Sequence, residues 1–271
     1  MYKRQAFVQF GAFAALVGHT LWIARSHLRQ SLQAAIHPER ESDRGGDFSM
    51  RSLFIQLFLG FALMTGWFIA IGVPWWAGLA FVGAATATFL GITRILCESG
   101  LAATRAQLIT PTVVRTFFGT TMLGPAGAVG VLSFGQVWMS DVRTFVMAAV
   151  ANGLKLTESV RQKRLVLWCM ILAVVVGIGV SVWATLYLAY QGGANNANGW
   201  FFLSGPRYTI DFAAHFLRNP AGPDVAGIGL IALGGTIMSA LFWIRTHWIS
   251  FPIHPIAVSY THLRAHETRH E

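Results

Sequence analysis

The chain has 271 residues, of which 54% are hydrophobic and only 11% charged, with a net charge of +9 and a mean hydropathy of +0.53. Soluble domains carry about 25% charged residues, so this composition cannot cover a water-facing surface and excludes an ordinary soluble fold. The basic residues sit between long apolar runs and not on one face of a polar domain, which argues against nucleic acid and for a lipid bilayer as the partner.

The chain opens with Met1-Tyr2-Lys3-Arg4-Gln5, which resembles one strand of a transposase mosaic end with a GTG codon read as Met. It closes with Val258-Ser259-Tyr260-Thr261-His262-Leu263-Arg264-Ala265-His266-Glu267-Thr268, which resembles the opposite strand of that end followed by a sequencing adapter. Residues 1–5 and 258–271 are therefore expected to be artificial, leaving 6–257 as an internal piece of a longer membrane-embedded bundle. Without those ends the net charge is about +7 in place of +9.

A span needs about 20 mostly apolar residues to cross about 30 Å of hydrocarbon. The first falls at roughly 6–24, with His19 beside Thr20 near its end. His19 is a candidate proton-relay or ligand residue, or simply an interfacial histidine bonded to a neighbour. The second and third spans fall at roughly 53–72 and 75–93, separated by a tight turn at Val73-Pro74. At the end of the third, Arg94 and Glu98 are four residues apart and share a helix face, so they form either an ordinary ion pair or a carboxylate site facing a cavity.

The stretch 117–139 is apolar enough to enter a membrane but carries Gly119, Gly124, Pro125, Gly127, Gly130 and Gly135. A full crossing would carry Arg143, Lys155, Arg161, Lys163 and Arg164 to the wrong side, so a re-entrant loop or broken helix is expected. Asp141 flanks this segment and is a further candidate for an ion or substrate path. The run 141–164 reads as a basic amphipathic helix on the membrane surface.

The fourth span, 165–190, holds thirteen Leu, Ile and Val residues and no charge. At about −0.3 to −0.6 kcal/mol each, its insertion gains several kcal/mol. The stretch 208–217 suggests an outer helix lying on the interface. Asp224 stands where it would cap the fifth span, 225–244. A sixth segment begins near Pro252, with His254 in its first turn.

Alternate sides of this arrangement carry fourteen and two Lys or Arg residues, which places the fourteen in the cytoplasm of a bacterial inner membrane. Cys97 and Cys169 are isolated, and there is no phosphate loop, GxSxG, HExxH or paired carboxylate motif, so no cofactor, metal or soluble catalytic machinery is expected. Small residues recur in the spans, among them Gly60, Gly66, Gly78, Gly177, Gly179, Gly234 and Gly235, as a tightly packed bundle requires.

The run Arg94-Ile95-Leu96-Cys97-Glu98-Ser99-Gly100, the end of the fourth span at Ser181-Val182-Trp183-Ala184-Thr185-Leu186, the turn Asn219-Pro220-Ala221-Gly222-Pro223-Asp224 and the closing Pro252-Ile253-His254-Pro255-Ile256 resemble a bacterial family of uncharacterised polytopic membrane proteins. The likeness covers most of 6–257 and corresponds to the C-terminal half of that family, which is itself distantly similar to oligopeptide transporters. That resemblance implies a substrate-translocating bundle and supplies no binding residue. The expectation is an all-α polytopic bundle of about five spans plus a re-entrant or broken segment. Its partners are the lipid bilayer and a small-molecule solute, with Glu98, Arg94, His19 and Asp141 as pathway candidates. The rival is a membrane-embedded enzyme or a structural membrane protein.

Overall fold

The computed structural model describes residues 2–37, 49–99, 107–139, 146–157, 163–193, 196 and 199–248. Helices α1 (Tyr2–Ile36), α2 (Met50–Ala70) and α3 (Trp75–Ser99) come first, followed by α4 (Thr110–Val129), a π-helical turn (Gly130–Phe134) and α5 (Gly135–Met139). Then come α6 (Val146–Leu156), α7 (Lys163–Gly192), a second π turn (Trp200–Ser204), α8 (Gly205–Arg218) and α9 (Val225–His247). Most of the described residues are helical, and six segments are long and apolar enough to cross a membrane. Five match the expected spans. The sixth is the glycine-rich stretch, here Thr110–Met139.

The bundle exposes large apolar side chains all round, including Phe58, Leu63, Trp67, Leu172 and Trp183. Water would make such a surface unstable, and lipid tails would not. The fold is that of an integral, multi-pass membrane protein.

Helices α1 and α9 form the closest helix pair and run parallel: Gly11 lies on Ile231 and Gly235, Gly234 lies on Val8, and the His19 ring stacks on Phe242 at 3.9 Å. Parallel packing requires α1 and α9 to cross in the same sense, as the charge pattern predicts. Helices α2 and α3 form an antiparallel hairpin through the turn at Gly72 (φ +90°), with Phe68 against Phe81 at 4.8 Å. Helix α1 meets α3 where Phe13 and Val17 close over Gly91, and those side chains leave no room for a Cβ.

Helix α7 stands apart. Its main packing partner is α6, and nothing lies within 4 Å of a Cβ on Gly177 or Gly179. The glycine-rich stretch meets α3, α8 and α9, and α7 is not among its main packing partners. Nor does α8 lie only along the interface. It packs on both limbs of the glycine-rich stretch and buries Thr209 and Ala213. The surface helix expected over 141–164 is described only as α6, whose Asn152 and Lys155 reach the end of α3. Residues 258–271, His254 and the expected sixth segment lie outside the described residues, whereas α1 begins at Tyr2.

Candidate functional site: a folded-back hairpin

Helix α3 serves as a ruler for the segment Thr110–Met139, since each residue rises 1.5 Å along its axis. Pro111 and Gly135 sit side by side: a Cβ on Gly135 would lie 2.7 Å from the Phe81 ring and 3.5 Å from Pro111 Cγ. Phe118 packs on Trp76 at 5.0 Å, and Trp138 packs between Phe81 and Phe89 at 5.9 and 5.8 Å. The first limb therefore climbs from the level of Phe81 to that of Trp76, and the second descends past Phe81 towards Phe89. The segment enters and leaves on the arginine-rich side.

Two glycines make the fold-back possible. Gly119 (φ 66°, ψ 173°) and Gly124 (φ 68°, ψ 172°) break the helix between the limbs. That region of φ/ψ space is essentially restricted to glycine, because a Cβ would clash with the backbone. The tip between them is held from two sides. The Thr120 and Thr121 N–H groups donate to Ala221 O at 2.8 and 3.3 Å, Ala221 N donates to Thr120 Oγ1 at 3.0 Å, and Asp224 N donates to Thr116 O at 2.9 Å. On the other side the second limb seats on the α2–α3 turn, with Gly127 against Pro74 and Gly130 against Val73. These bonds satisfy backbone groups that a helix break leaves open at membrane depth.

The hairpin interior is polar in places. Thr110 and Gln136 flank the Pro111–Gly135 contact. They are 0% and 5% exposed, and neither Thr110 Oγ1 nor Gln136 Oε1 has a hydrogen-bond partner. Leaving a buried polar atom unpaired costs about 1–3 kcal/mol, so two such atoms on facing limbs call for an explanation. Further out, the Arg115 guanidinium lies 4.6 Å from the centre of the Phe216 ring, and its Nε is buried without a partner. Asp224, whose Oδ1 accepts from Gly227 N at 2.9 Å and so caps α9, supplies the opposing charge that acts on Arg115.

The residues singled out from sequence fall elsewhere. Arg94 Nε donates to Glu98 Oε1 at 2.8 Å, with the two side chains 33% and 38% exposed at the end of α3. Beside them Cys97 Sγ donates to Asn152 Oδ1 at 3.2 Å, and Lys155 Nζ donates to Cys97 O at 3.4 Å. His19 is half-buried in the α1–α9 contact. Asp141 lies outside the described residues. Neither the Arg94–Glu98 pair nor His19 approaches the hairpin interior. Among the described residues, no group of three or more His, Cys, Asp or Glu side chains could hold a metal.

Sequence reasoning passed over Arg115, Thr110 and Gln136. An arginine four residues past Pro111 in an otherwise apolar run is the one signal that could have drawn attention there.

A family described as a family of unknown function (DUF6785) matches residues 1–265. No curated protein and no solved structure matches the chain.

Proposed function

The chain belongs to the DUF6785 family, and from that premise we propose that it is part of a transporter-like permease for a small solute, with the Thr110–Met139 hairpin at the solute path. The observation that carries this reading is the fold-back itself. Non-helical backbone at membrane depth survives only where protein buries it or a water-filled cavity runs beside it, and transporter sites are commonly built from such interrupted helices. The unpaired Thr110 Oγ1 and Gln136 Oε1 supply polar groups for a solute within the fold-back.

The test uses cysteine accessibility. Thr110→Cys and Gln136→Cys, in a background with Cys97→Ser and Cys169→Ser, should react with a small water-soluble thiosulfonate in intact membranes. Val131→Cys, at a fully buried apolar position, should not. If all three are equally inert, the hairpin is sealed and carries no path. Within the same proposal Glu98 and Arg94 stand at the arginine-rich mouth, where Glu98→Gln should abolish uptake and leave insertion intact. Normal uptake by that variant would remove Glu98 from the path.

A second reading, a membrane protein without transport activity, draws on the Arg94–Glu98 pair. Its partly exposed geometry is that of an ordinary helix-end ion pair.

A further inference from the structure

Among the described residues, Arg115 is in an unusual position. It is one turn into the first hairpin limb, and three protein elements surround it. Helix α4 carries it, Phe216 of α8 lies under the flat face of its guanidinium, and Asp224 stands at the start of α9. Arginine has five N–H donors in a planar fork. Among the described residues, no hydrogen bond engages any of them and no carboxylate lies within ion-pairing distance of 4.0 Å, although Nε is buried. Asp224 is already committed to Gly227 N. A half-buried guanidinium that stacks on an aromatic ring and bonds to nothing through its edge is arranged to receive a planar acceptor.

We propose that Arg115 binds the oxyanion, a carboxylate first of all, of a negatively charged solute at the arginine-poor mouth of the hairpin. The inference rests on the reading of the hairpin as a solute path. Carboxylate oxygens can accept two parallel N–H bonds from the fork while Phe216 fixes the plane of the guanidinium. Asp224 balances the resting charge, so the position is not a general attractor for anions. His215 and Arg218, in the last turn of α8, add basic character to the same mouth.

A phospholipid headgroup carries the same chemistry. Phe212 and Phe216 pack against the protein core, so the ring under the guanidinium belongs to the packed bundle, which favours a solute.

The experiment titrates the full chain, purified in dodecyl maltoside, with sodium succinate and, at matched ionic strength, with succinamide. Succinate should bind and succinamide should not. Arg115→Gln should raise the Kd for succinate about tenfold or more, the usual scale for losing charge-assisted bonds. Arg115→Lys should fall between the two, because it keeps the charge without the fork. Should Arg115→Gln not fold, Arg115→Lys carries the test, weakening succinate without changing thermal stability in its absence, and Phe216→Leu should weaken succinate as well.

Unchanged succinate affinity in these variants overturns the proposal. So does failure of the wild-type chain to bind any of acetate, succinate, citrate and inorganic phosphate. Stabilisation by phosphatidylglycerol alone, with no effect of soluble anions, also overturns it and assigns Arg115 to lipid. Uptake into proteoliposomes separates this inference from the one beneath it. Arg115-dependent succinate binding without uptake of any probe keeps the anion site and removes transport. Arg115-independent uptake of succinamide does the reverse.

Discussion

Replacing Gly234 by alanine tests the helix packing directly. A Cβ at that position would overlap Val8 O and lie 2.7 Å from Val8 C, against backbone that cannot rotate away. Real Cβ atoms essentially never approach closer than 3.0 Å, so α1 and α9 must move apart locally by something on the order of 1 Å. A radial gap of 0.5–1 Å already forfeits a quarter to a half of each dispersion contact, and overpacking a close interface costs about 1–3 kcal/mol. The α1–α9 pair is the tightest helix contact in the bundle, so the upper part of that range is expected. The assay is thermal unfolding in dodecyl maltoside, followed by tryptophan fluorescence, with Gly177→Ala as control. Nothing lies within 4 Å of a Cβ on Gly177, and that variant should shift stability by less than about 1 kcal/mol. If Gly234→Ala and Gly177→Ala unfold alike, the close backbone approach of α1 and α9 is wrong.

Other outcomes follow from the hairpin and its supports. Gly119→Ala adds backbone strain of about 1–3 kcal/mol and also drives a Cβ to 2.7 Å from Pro223 N, whereas Gly124→Ala adds strain alone into open space, so thermal unfolding should rank Gly119→Ala well below Gly124→Ala. Met122→Cys, at the exposed tip, should be labelled by an impermeant maleimide from the same side as Asn196→Cys and from the side opposite His37→Cys; labelling with His37→Cys would mean that the segment does not fold back. Asp224→Ala should cost roughly 1 kcal/mol as a lost helix cap, read by chemical denaturation in detergent, and Asp224→Asn less, since Asn caps comparably. Glu98→Gln should change stability by less than about 0.5 kcal/mol, because the Arg94 pair is partly exposed and screened by salt.

What the sequence revealed and what it concealed divide along the range of the interactions. The Asp224 cap and the Arg94–Glu98 pair depend on residues three or four apart and were legible as such. The spans were legible because twenty consecutive residues determine their preference for lipid. The fold-back was legible as a conflict, since glycine density allowed a break and the arginine distribution forbade a crossing. Helix partners were not legible. Nothing within a twenty-residue window says that Gly11 will meet Ile231, or that the most apolar helix, α7, will keep away from the hairpin. Arg115 was counted as one of fourteen basic residues marking a side of the membrane. Its environment comes from Phe216 and Asp224, about a hundred positions downstream. For the same reason Thr110 and Gln136, ordinary polar residues in local context, become conspicuous only once the limbs carrying them lie together.

The hairpin tip is pinned to two turns that belong to different helix pairs. Backbone hydrogen bonds join it to the 219–224 turn ahead of α9, and close seating joins it to the Gly72–Pro74 turn between α2 and α3. It thus works as a keystone. Sliding the α2–α3 pair against the α1–α9 pair drags the tip along or tears it loose, so the two halves of the bundle cannot rock independently, and whatever lodges beside Arg115 feels the motion of both.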